Sequence, residues 1–486
     1  MGPVAPNLAW LQGSKSRWAR GFGQSCRAIP SRVSTLGNAI PRPIPASVAD
    51  AMVRWPVDEP LVALIGSSAA SHNPHSLLAR PTETRRFDSL AAFLDSLDPK
   101  RACIQSTPPF GPGWVVSIAY HGGHELEPKA VVAEGCIHTP AVIASRIEAG
   151  MVFDHRLGRT HTFGETLAAF DDHTPTLHRS CTLGPVRGLE RQPVYTEAVR
   201  RVVELINAGD AFQVNLAHRP SAAFAGSTRA LAARLCASLA PWHGCYIETA
   251  SASPDDIAAV VSMSPELFLQ VSPDGHVRTR PMKGTRPGSS SADELAIAPK
   301  DRAELAMIVD LMRNDLGRVC QFGSVRVTQD RVIEPHGGTP AEPAVWQGVA
   351  TVEGTLRADQ TRQDLIRAAF PPGSVTGAPK VRAMQIIDEL EQSLGFAGTH
   401  TRRGPYCGAC GFIGDDGSMM LNVAIRTAIV TGIATAPGVV PAGEASYPVG
   451  AGIVADSDPE SEWLETLDKA RPFLDLTASG RSFTEE

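Results

Sequence analysis

No stretch of this 486-residue sequence is apolar over the roughly 18–20 residues that a membrane-spanning helix needs. The sequence also lacks an excess of positive charge: 45 Lys and Arg stand against 51 Asp and Glu, which gives a formal net charge of -6. Proteins that bind nucleic acids usually show the opposite balance, with a basic patch or stripe. We therefore expect neither a membrane nor a nucleic acid as a partner.

Cysteine is sparse for a chain of this length. The nine cysteines are odd in number and are not spaced like a disulfide scaffold. We expect mostly buried thiols in a reducing compartment, which favours the cytoplasm. Cys407 and Cys410 form a CxxC motif, but no second close pair accompanies it, so we favour structural thiols over a zinc or redox site.

The first 49 residues contain no Asp or Glu, but six Lys or Arg and six Ser. That composition resembles an organellar transit peptide. The segment is also rich in Pro and Gly and shows no sustained amphipathic helix. We therefore predict a disordered tail over residues 1–50, with organellar targeting as the alternative that we do not favour.

Helix and strand periodicity is weak in residues 51–190 and clear in residues 191–475, and residues 476–486 form a polar tail. We interpret residues 51–190 as a divergent structural or regulatory region and residues 191–475 as the part that carries the chemistry. The predicted strands cover residues 61–65, 114–119, 130–132, 212–217, 257–263 continuing through 267–271, 408–413, 419–430 and 449–454. The predicted helices cover residues 90–97, 194–206, 228–239, 301–311, 364–369, 381–391 and 460–470.

Stretches rich in Pro and Gly are predicted to be turns or loops. Residues 281–288 form a tight basic turn around Lys283, because Pro and Gly at both ends oppose a regular helix. Residues 371–380 form a glycine-rich loop before a helix, and backbone N–H groups at a helix N-terminus can bind an anion. The spacing does not match a nucleotide-binding P-loop. Residues 329–347 are also predicted to be rich in loops.

Four carboxylates occur in two pairs, each three residues apart in a predicted helix. Asp301 and Glu304 form the first pair, and Glu462 and Glu465 form the second, with Lys469 one turn further. Residues three or four apart share a helix face, so two facing helices would place four carboxylates in one space. Their repulsion would require a cation, and oxygen ligands favour Mg²⁺. On spacing alone, two solvated helix faces with local ion pairs are an equal alternative.

Glu266 ends an apolar strand. Burial there would raise its pKa and suit it to proton donation, whereas a structural glutamate at a strand end is the simpler alternative. Lys283, Arg426 and Lys469 supply positive charge. Together with the glycine-rich segments, they suit a small substrate with several negative charges.

Residues 191–472 resemble the chorismate-utilising enzymes, the family of anthranilate synthase component I. Many motifs match in order, whereas the first 190 residues match much less well. The matching segments are residues 209–216, Ser264-Pro265-Glu266, 281–286, 301–304, 308–318, 373–380, 403–408, 424–427, 450–459 and 465–469.

This resemblance implies an α+β fold of the anthranilate synthase component I type, in which two curved β-sheets pack together, helices flank them and the active site lies between them. It implies Mg²⁺ as a cofactor, held mainly by Glu304 and Glu465 and supported through water by Asp301 and Glu462. It places Glu266 as the acid that assists departure of the C4 hydroxyl of chorismate. The positions assigned to substrate binding are Gln213, Gly284, Thr285, Thr376, Tyr406, Arg426, Gly450, Gly452 and Lys469.

Two positions indicate one branch of this family. Members that add water at C2 of chorismate carry a lysine base where this chain has Gln213, and an amide cannot take a proton from water. Anthranilate synthases have a small residue at the position of Lys283. The Pro-x-Lys-Gly-Thr motif resembles the aminodeoxychorismate synthase component I branch, in which the lysine is thought to attack C2. The sequence therefore predicts Mg²⁺-dependent amination of chorismate to 4-amino-4-deoxychorismate, for 4-aminobenzoate and folate. Anthranilate synthase component I and an inactive regulatory homologue are the alternatives.

The sequence contains no Gly-x-Cys-x-Gly nucleophile elbow of a triad-type glutaminase. We therefore expect ammonia to come from a separate glutaminase subunit. The segment that binds tryptophan in relatives is not clearly present, so feedback control by tryptophan is not expected. Gln347 stands where many relatives have His, and the sequence assigns it no role.

Overall fold

The computed structural model describes residues 47–98, 109–130, 139–164, 180–338, 343–396 and 402–478. In these residues no helix is long and apolar enough to cross a membrane. The α-helices are α1 Val48–Val53, α2 Leu90–Ser96, α3 Gly123–Leu126, α4 Gln192–Asn207, α5 Thr228–Leu239, α6 Ala292–Ile297, α7 Pro299–Gly317, α8 Arg362–Ala369, α9 Lys380–Leu390 and α10 Pro459–Ala478. The strands are β1 Val62–Ile65, β2 His75–Ala79, β3 Glu83–Phe87, β4 Gly113–Ile118, β5 Val142–Ile147, β6 Gly150–Asp154, β7 Arg159–Phe163, β8 Cys181–Leu183, β9 Gln213–His218, β10 Ser221–Ser227, β11 His243–Glu248, β12 Ile257–Ser264, β13 Leu267–Val271, β14 His276–Arg280, β15 Met282–Pro287, β16 Arg326–Gly338, β17 Pro343–Thr355, β18 Gly377–Ala378, β19 Ala409–Gly414, β20 Met419–Val423, β21 Thr427–Gly432, β22 Val439–Ser446 and β23 Val449–Ile453.

Most strands belong to two large antiparallel sheets. The first sheet has the order β7-β6-β2-β1-β11-β12-β21-β22-β10-β8. The second has the order β15-β17-β14-β13-β20-β19-β4-β5-β3, with β16 paired to β17. A small third sheet consists of β18, β9 and β23. The predicted α+β fold with two packed sheets is confirmed.

The two faces of the first sheet enter different cores, because alternate residues of a strand point to opposite faces. In β1, Val62 and Leu64 belong to the core that also contains residues of the second sheet, whereas Ala63 and Ile65 belong to a core shared with α1, α5 and α10. A strand buried on both faces is apolar throughout, which explains the unbroken apolar runs in this sequence.

Strands from both sides of residue 190 share both large sheets. In the first sheet β1 pairs with β11, and in the second β4 pairs with β19. The predicted boundary between residues 190 and 191 therefore does not separate one sheet from the other. That the sequence before this boundary is the more divergent part stays a prediction. Nearly all of the predicted tail over residues 1–50 lies outside the described residues, although α1 already begins at Val48. Residues 131–132 of one predicted strand also lie outside them.

Two segments that we predicted as continuous strands are each divided between the sheets. Residues 257–271 leave the first sheet after β12 and enter the second as β13, and residues 419–430 leave the second after β20 and return to the first as β21. Pro265 lacks a backbone donor, and Arg426 has a φ of 51°, in the left-handed region. The prediction that Arg426 lies within a strand was therefore wrong.

The segment around Lys283 is a strand and not a turn. It forms β15, which pairs with β17 at the edge of the second sheet. The register shifts between Lys283 and Thr285, where Gly284 has a φ of 81°. Pro287 is tolerated because an edge strand does not need every backbone donor. The Pro and Gly residues thus mark a bulged edge strand, which sequence spacing did not distinguish from a turn.

The prediction of loops over residues 329–347 was also wrong for the residues that the structure describes, because 329–338 belong to the long strand β16 and 343–347 to the long strand β17. Their pairing supplies long-range backbone hydrogen bonds that local Pro and Gly content does not reveal. The last helix, α10, extends to Ala478, well past the predicted end at residue 470. The other predicted helices are present with shifts of a few residues.

Candidate active site

Two segments pass from one sheet to the other: one joins β12 to β13 and carries Glu266, and the other joins β20 to β21 and carries Arg426. These two crossings lie side by side. The N–H of Val423 donates to the carbonyl of Glu266 at 3.1 Å, and the N–H of Met263 donates to the carbonyl of Arg426 at 3.0 Å. Each crossing is therefore fixed by the other. Glu266 and Arg426 both line one pocket of the molecule.

A cleft of about 900 Å³ and an adjoining pocket of about 120 Å³ bring together most of the residues that the sequence predicted as a site. Of the residues predicted as a site, the two spaces share Lys283, Gly284, Thr285, Arg426 and Lys469, and Pro265 and Gln347 also line both. The larger cleft is also lined by Asp301, Glu304, Gly452, Glu462 and Glu465, and the smaller pocket by Glu266, Tyr406 and Gly450. Gln213 and Thr376 line neither space.

Lys283 lies in the wall common to both spaces. Burial lowers the pKa of its amine, as does the charge of Lys469, while the nearby carboxylates, above all that of Glu304, oppose this shift. A lowered pKa increases the fraction of neutral amine, which is the nucleophilic form. The bulge at Gly284 lets α7 approach closely: a Cβ at this glycine would lie 2.9 Å from the Asp301 side chain.

Gln213 lies behind Gly452, next to the amine of Lys283. A Cβ placed on Gly452 would lie 2.7 Å from Gln213 Nε2 and 2.8 Å from Lys283 Nζ. Gln213 is fully buried, and neither of its amide atoms has a hydrogen-bond partner among the described residues. The absence of a side chain at Gly452 therefore leaves room for the Gln213 amide and for the Lys283 amine.

Glu266 is a buried carboxyl group, 3% exposed. Burial raises its pKa to about 7, while the hydroxyl of Ser374 and the charge of Lys283 partly offset this effect. The Ser374 Oγ donates to Glu266 Oε1 at 2.7 Å. A carboxyl with a pKa near neutrality can hold a proton and release it, as a general acid must.

The four predicted carboxylates lie on one cleft, with Asp301 and Glu304 on α7 and Glu462 and Glu465 on α10. Burial raises the pKa of Glu304 and of Glu462, and the negative charge of Glu465 contributes to both shifts. The pKa of Glu465 itself is lowered, mainly by the charge of Lys469. Of the two alternatives that the spacing left open, the structure shows the one in which both helices bring their carboxylates to one cleft. The role of these carboxylates as metal ligands stays a prediction.

Three of these carboxylates also have protein partners. Asp301 accepts from Arg286 at 2.7 Å, Glu462 from Ser457 at 2.6 Å and Glu465 from Lys469 at 2.6 Å. Sequence reasoning did not single out Arg286, Ser457 or Ser374. The Asp301–Arg286 pair joins α7 to β15, a contact that appears only once residues 281–288 are known to be a strand.

The donor set fits a magnesium ion. In the part of the chain that the structure describes, no three His, Cys, Asp or Glu side chains converge to enclose a metal. Mg²⁺ keeps several waters and usually takes one or two protein carboxylates, with further oxygens from its substrate. Glu304 and Glu465 supply carboxylates of that kind from opposite helices of the cleft.

Most of the remaining predicted binding residues line the cavities, whereas Thr376 does not. Lys469 donates to the carbonyl of Gly450 at 2.8 Å, and Arg426 donates to the backbone carbonyl of Lys469 at 2.7 Å, so both cations are held at the cleft wall. Tyr406 lines the smaller pocket. Thr376 instead is fully buried and donates to the carbonyl of Pro372 at 2.8 Å, so it lines neither space.

Paired carboxylates, fixed cations and a primary amine line the cleft, and a carboxyl group with a raised pKa lines the adjoining pocket. This combination suits a small anionic substrate. A family model described as chorismate binding enzyme matches residues 65–475. Aminodeoxychorismate synthase component 1 of Klebsiella aerogenes is 36% identical over 380 residues, which are 75% of this chain and 77% of that protein. The chain belongs to the chorismate binding enzyme family and is a chorismate-utilising enzyme.

Other relatives carry two different names. Aminodeoxychorismate synthase component 1 of Salmonella typhimurium is 41% identical over 288 residues, 58% of this chain and 56% of that protein. A protein of Haloarcula marismortui named anthranilate synthase component 1 1 is 33% identical over 435 residues, 81% of this chain and 82% of that protein. The solved structure of anthranilate synthase component I from Streptococcus pneumoniae matches with a TM-score of 0.64 and 25% identity, covering 91% of this chain and all of the other. The predicted fold type is thereby confirmed.

Proposed function

We propose that this chain aminates chorismate at C4 to give 4-amino-4-deoxychorismate, a precursor of 4-aminobenzoate. The observation that carries the proposal is the position of Lys283, whose amine lies in the wall shared by both spaces, with a lowered pKa and with Glu266 close enough to affect its charge. Relatives named aminodeoxychorismate synthase component 1, at 36% and 41% identity, support the same assignment.

The first step uses the amine and the acid together. The lone pair of Lys283 Nζ forms a bond to C2 of the ring, the two ring double bonds shift, and the C4–O bond breaks. Glu266 gives its proton to the departing hydroxyl, which leaves as water. Splitting one substitution into two allylic substitutions lowers each barrier, as covalent catalysis does in general.

The second step restores the enzyme. Ammonia forms a bond to C4, the double bonds shift back, and the bond between C2 and Lys283 Nζ breaks. The nitrogen that came from ammonia carries a surplus proton, which returns to the carboxylate of Glu266. Arg426 and Lys469 bind the negative charges of the substrate throughout, since both cations are fixed by backbone contacts.

When bound, Mg²⁺ would supply positive charge for the ring carboxylate of the substrate, and Glu304 and Glu465 would hold it with water-mediated support from Asp301 and Glu462. A separate glutaminase subunit would supply the ammonia. The relatives' name, component 1, supports a partner of this kind.

The test incubates the purified chain with chorismate, Mg²⁺ and ammonium, and identifies the products by mass spectrometry. We expect 4-amino-4-deoxychorismate, which a lyase added afterwards converts to 4-aminobenzoate and pyruvate. Glutamine alone should not replace ammonium. Release of pyruvate with anthranilate, before any lyase is added, would instead identify an anthranilate synthase.

Lys283→Ala provides the matched variant. We expect its amination rate to fall by about 10³-fold or more, because the covalent route is lost. With ammonia left out, wild-type protein should carry an adduct equal in mass to chorismate minus one water, and the variant should not. An unchanged rate in Lys283→Ala would contradict the proposed route.

A further inference from the structure

Ser374 makes a contact that the proposed reaction has not yet used. It lies in a short turn, Gly373–Val375, is 6% exposed, and lines the smaller pocket. Its hydroxyl donates to Oε1 of Glu266 at 2.7 Å. Within the described ranges, no other side-chain donor contacts this carboxyl group.

We propose that Ser374 is a positioning residue that determines which oxygen of Glu266 carries the transferable proton. This inference rests on the proposed function. A hydroxyl that donates to Oε1 makes that oxygen an acceptor, so the proton of the neutral carboxyl group resides on Oε2. Ser374 thereby directs the acidic O–H toward the departing hydroxyl and prevents the carboxyl from presenting the wrong oxygen.

The loop that carries Ser374 is held firmly on both sides. On one side Lys380 Nζ donates to Asp315 Oδ2 at 2.9 Å and to the carbonyl of Ala369 at 2.8 Å. On the other, β18 pairs with β9. A Cβ at Gly373 would lie 2.4 Å from the Leu311 side chain, so the loop packs directly on α7. The hydroxyl is therefore placed by a fixed backbone.

Two other titratable groups lie near the same carboxyl, and only the first affects its pKa. The charge of Lys283, on β15, favours the ionised form of Glu266. Cys407, which precedes β19, stays neutral because burial raises the pKa of its thiol to about 12. The backbone N–H of Met282 also favours the ionised form. A hydrogen bond that Ser374 donates to the carboxylate acts in the same direction, so its loss should raise the pKa of Glu266 further.

The experiment compares Ser374→Ala with Ser374→Thr by measuring kcat and KM for chorismate between pH 5.5 and 9. For Ser374→Ala we expect kcat to fall about tenfold with KM nearly unchanged. The alkaline limb of the kcat/KM profile, which reports the free enzyme, should move upward by about one pH unit, as expected for a lost hydrogen bond to a charged group. Ser374→Thr keeps the hydroxyl and should retain the wild-type limb. Ser393→Ala, on an exposed serine that donates to Leu390, is the matched control.

An unshifted alkaline limb in Ser374→Ala, or an equal loss of kcat in the Ala and Thr variants, would overturn the inference. A direct titration of the Glu266 carboxyl by ¹³C NMR, assigned with Glu266→Gln, gives the same shift without any turnover. A wild-type enzyme that forms a product other than 4-amino-4-deoxychorismate would refute the proposed function. The titration would still decide the role of Ser374 toward this acid.

Discussion

At the scale of single residues, burial and neighbouring charges change what common side chains can do. Glu266 has a pKa of about 7 because burial disfavours its charged form, and Lys283 has a lowered pKa for the same reason. The two shifts have opposite signs and both increase the neutral form near pH 7, which is what an acid paired with a nucleophilic amine requires. The shifts follow from the sheet crossing at Glu266 and the edge strand at Lys283.

The pKa of Glu266 predicts how activity depends on pH. The protonated acid is needed for departure of the hydroxyl, and its fraction falls as pH rises through about 7. We expect kcat/KM to decline above that pH, because this ratio reports the pKa values of the free enzyme. In Glu266→Gln the rate should fall by about 10²–10⁴-fold, and this limb should disappear because Gln has no proton to lose. A variant that keeps the wild-type limb would show that another group titrates there.

We expect any side chain at position 452 to reduce activity. In Gly452→Ala the added Cβ would displace the Lys283 amine or the Gln213 amide, both of which are ends of flexible side chains. The fold should therefore survive while kcat falls about tenfold or more. Gly317→Ala, where a Cβ would meet nothing within 4 Å, should keep full activity and raise the free energy of unfolding by about 0.5–1 kcal/mol. Equal activity of the two variants would contradict this account.

At the scale of elements, α7 connects the carboxylates to the glycine-rich loop. Its first turns carry Asp301 and Glu304, and near its other end Asp315 pairs with Lys380 at the start of α9. The loop between α8 and α9 delivers Ser374 to Glu266, a contact that its glycine content did not reveal. Whether its N–H groups also bind an anion stays a prediction.

Breaking the Asp315–Lys380 pair should destabilise the protein. Lys380→Met leaves a buried carboxylate without its partner, which typically costs about 3–5 kcal/mol. We expect a lower urea midpoint for Lys380→Met, with much of the loss recovered in the Asp315→Leu, Lys380→Met double variant. Arg200→Met removes an exposed pair with Glu197 and should cost less than about 1 kcal/mol. Similar losses for the buried and the exposed pair would contradict this prediction.

At the scale of the whole molecule, the two large sheets are built jointly from the region before residue 191 and the region after it. The site residues all come from the later region, yet β11 and β19 each pair with a strand from the earlier one. The divergent region therefore completes the sheets whose separation creates the cleft.

This arrangement predicts that residues 191–478 do not fold alone. Removing β1 and β4 would leave unpaired strand edges and expose the core between the sheets, which favours aggregation. We expect residues 47–478 to give a monodisperse protein by size-exclusion chromatography and residues 191–478 to aggregate. Cooperative unfolding of soluble 191–478 would show instead that the later region is an independent domain.

The sequence by itself determined the helices, the carboxylate pairs and most of the site. Periodic apolar residues predicted α4, α5 and α9, and the spacing of Asp301, Glu304, Glu462 and Glu465 brought together side chains that do line one cleft. The family motifs added Lys283, Glu266 and the cations. Helix periodicity depends on neighbours within one or two turns of the chain, so local spacing is sufficient to find the helices. Spacing alone left open whether the two carboxylate pairs face one cleft, and the roles of Lys283 and Glu266 came from the family motifs.

Only the tertiary structure decided where strands change sheets, that Met282–Pro287 form an edge strand, and that residues 329–338 and 343–347 belong to two paired strands. It also revealed the contact of Ser374 with Glu266, which joins residues 108 positions apart. Pairing between distant strands satisfies the backbone donors and acceptors of segments whose Pro and Gly residues locally favour turns. Such pairing depends on the whole sheet, and for this reason local sequence patterns could not determine it.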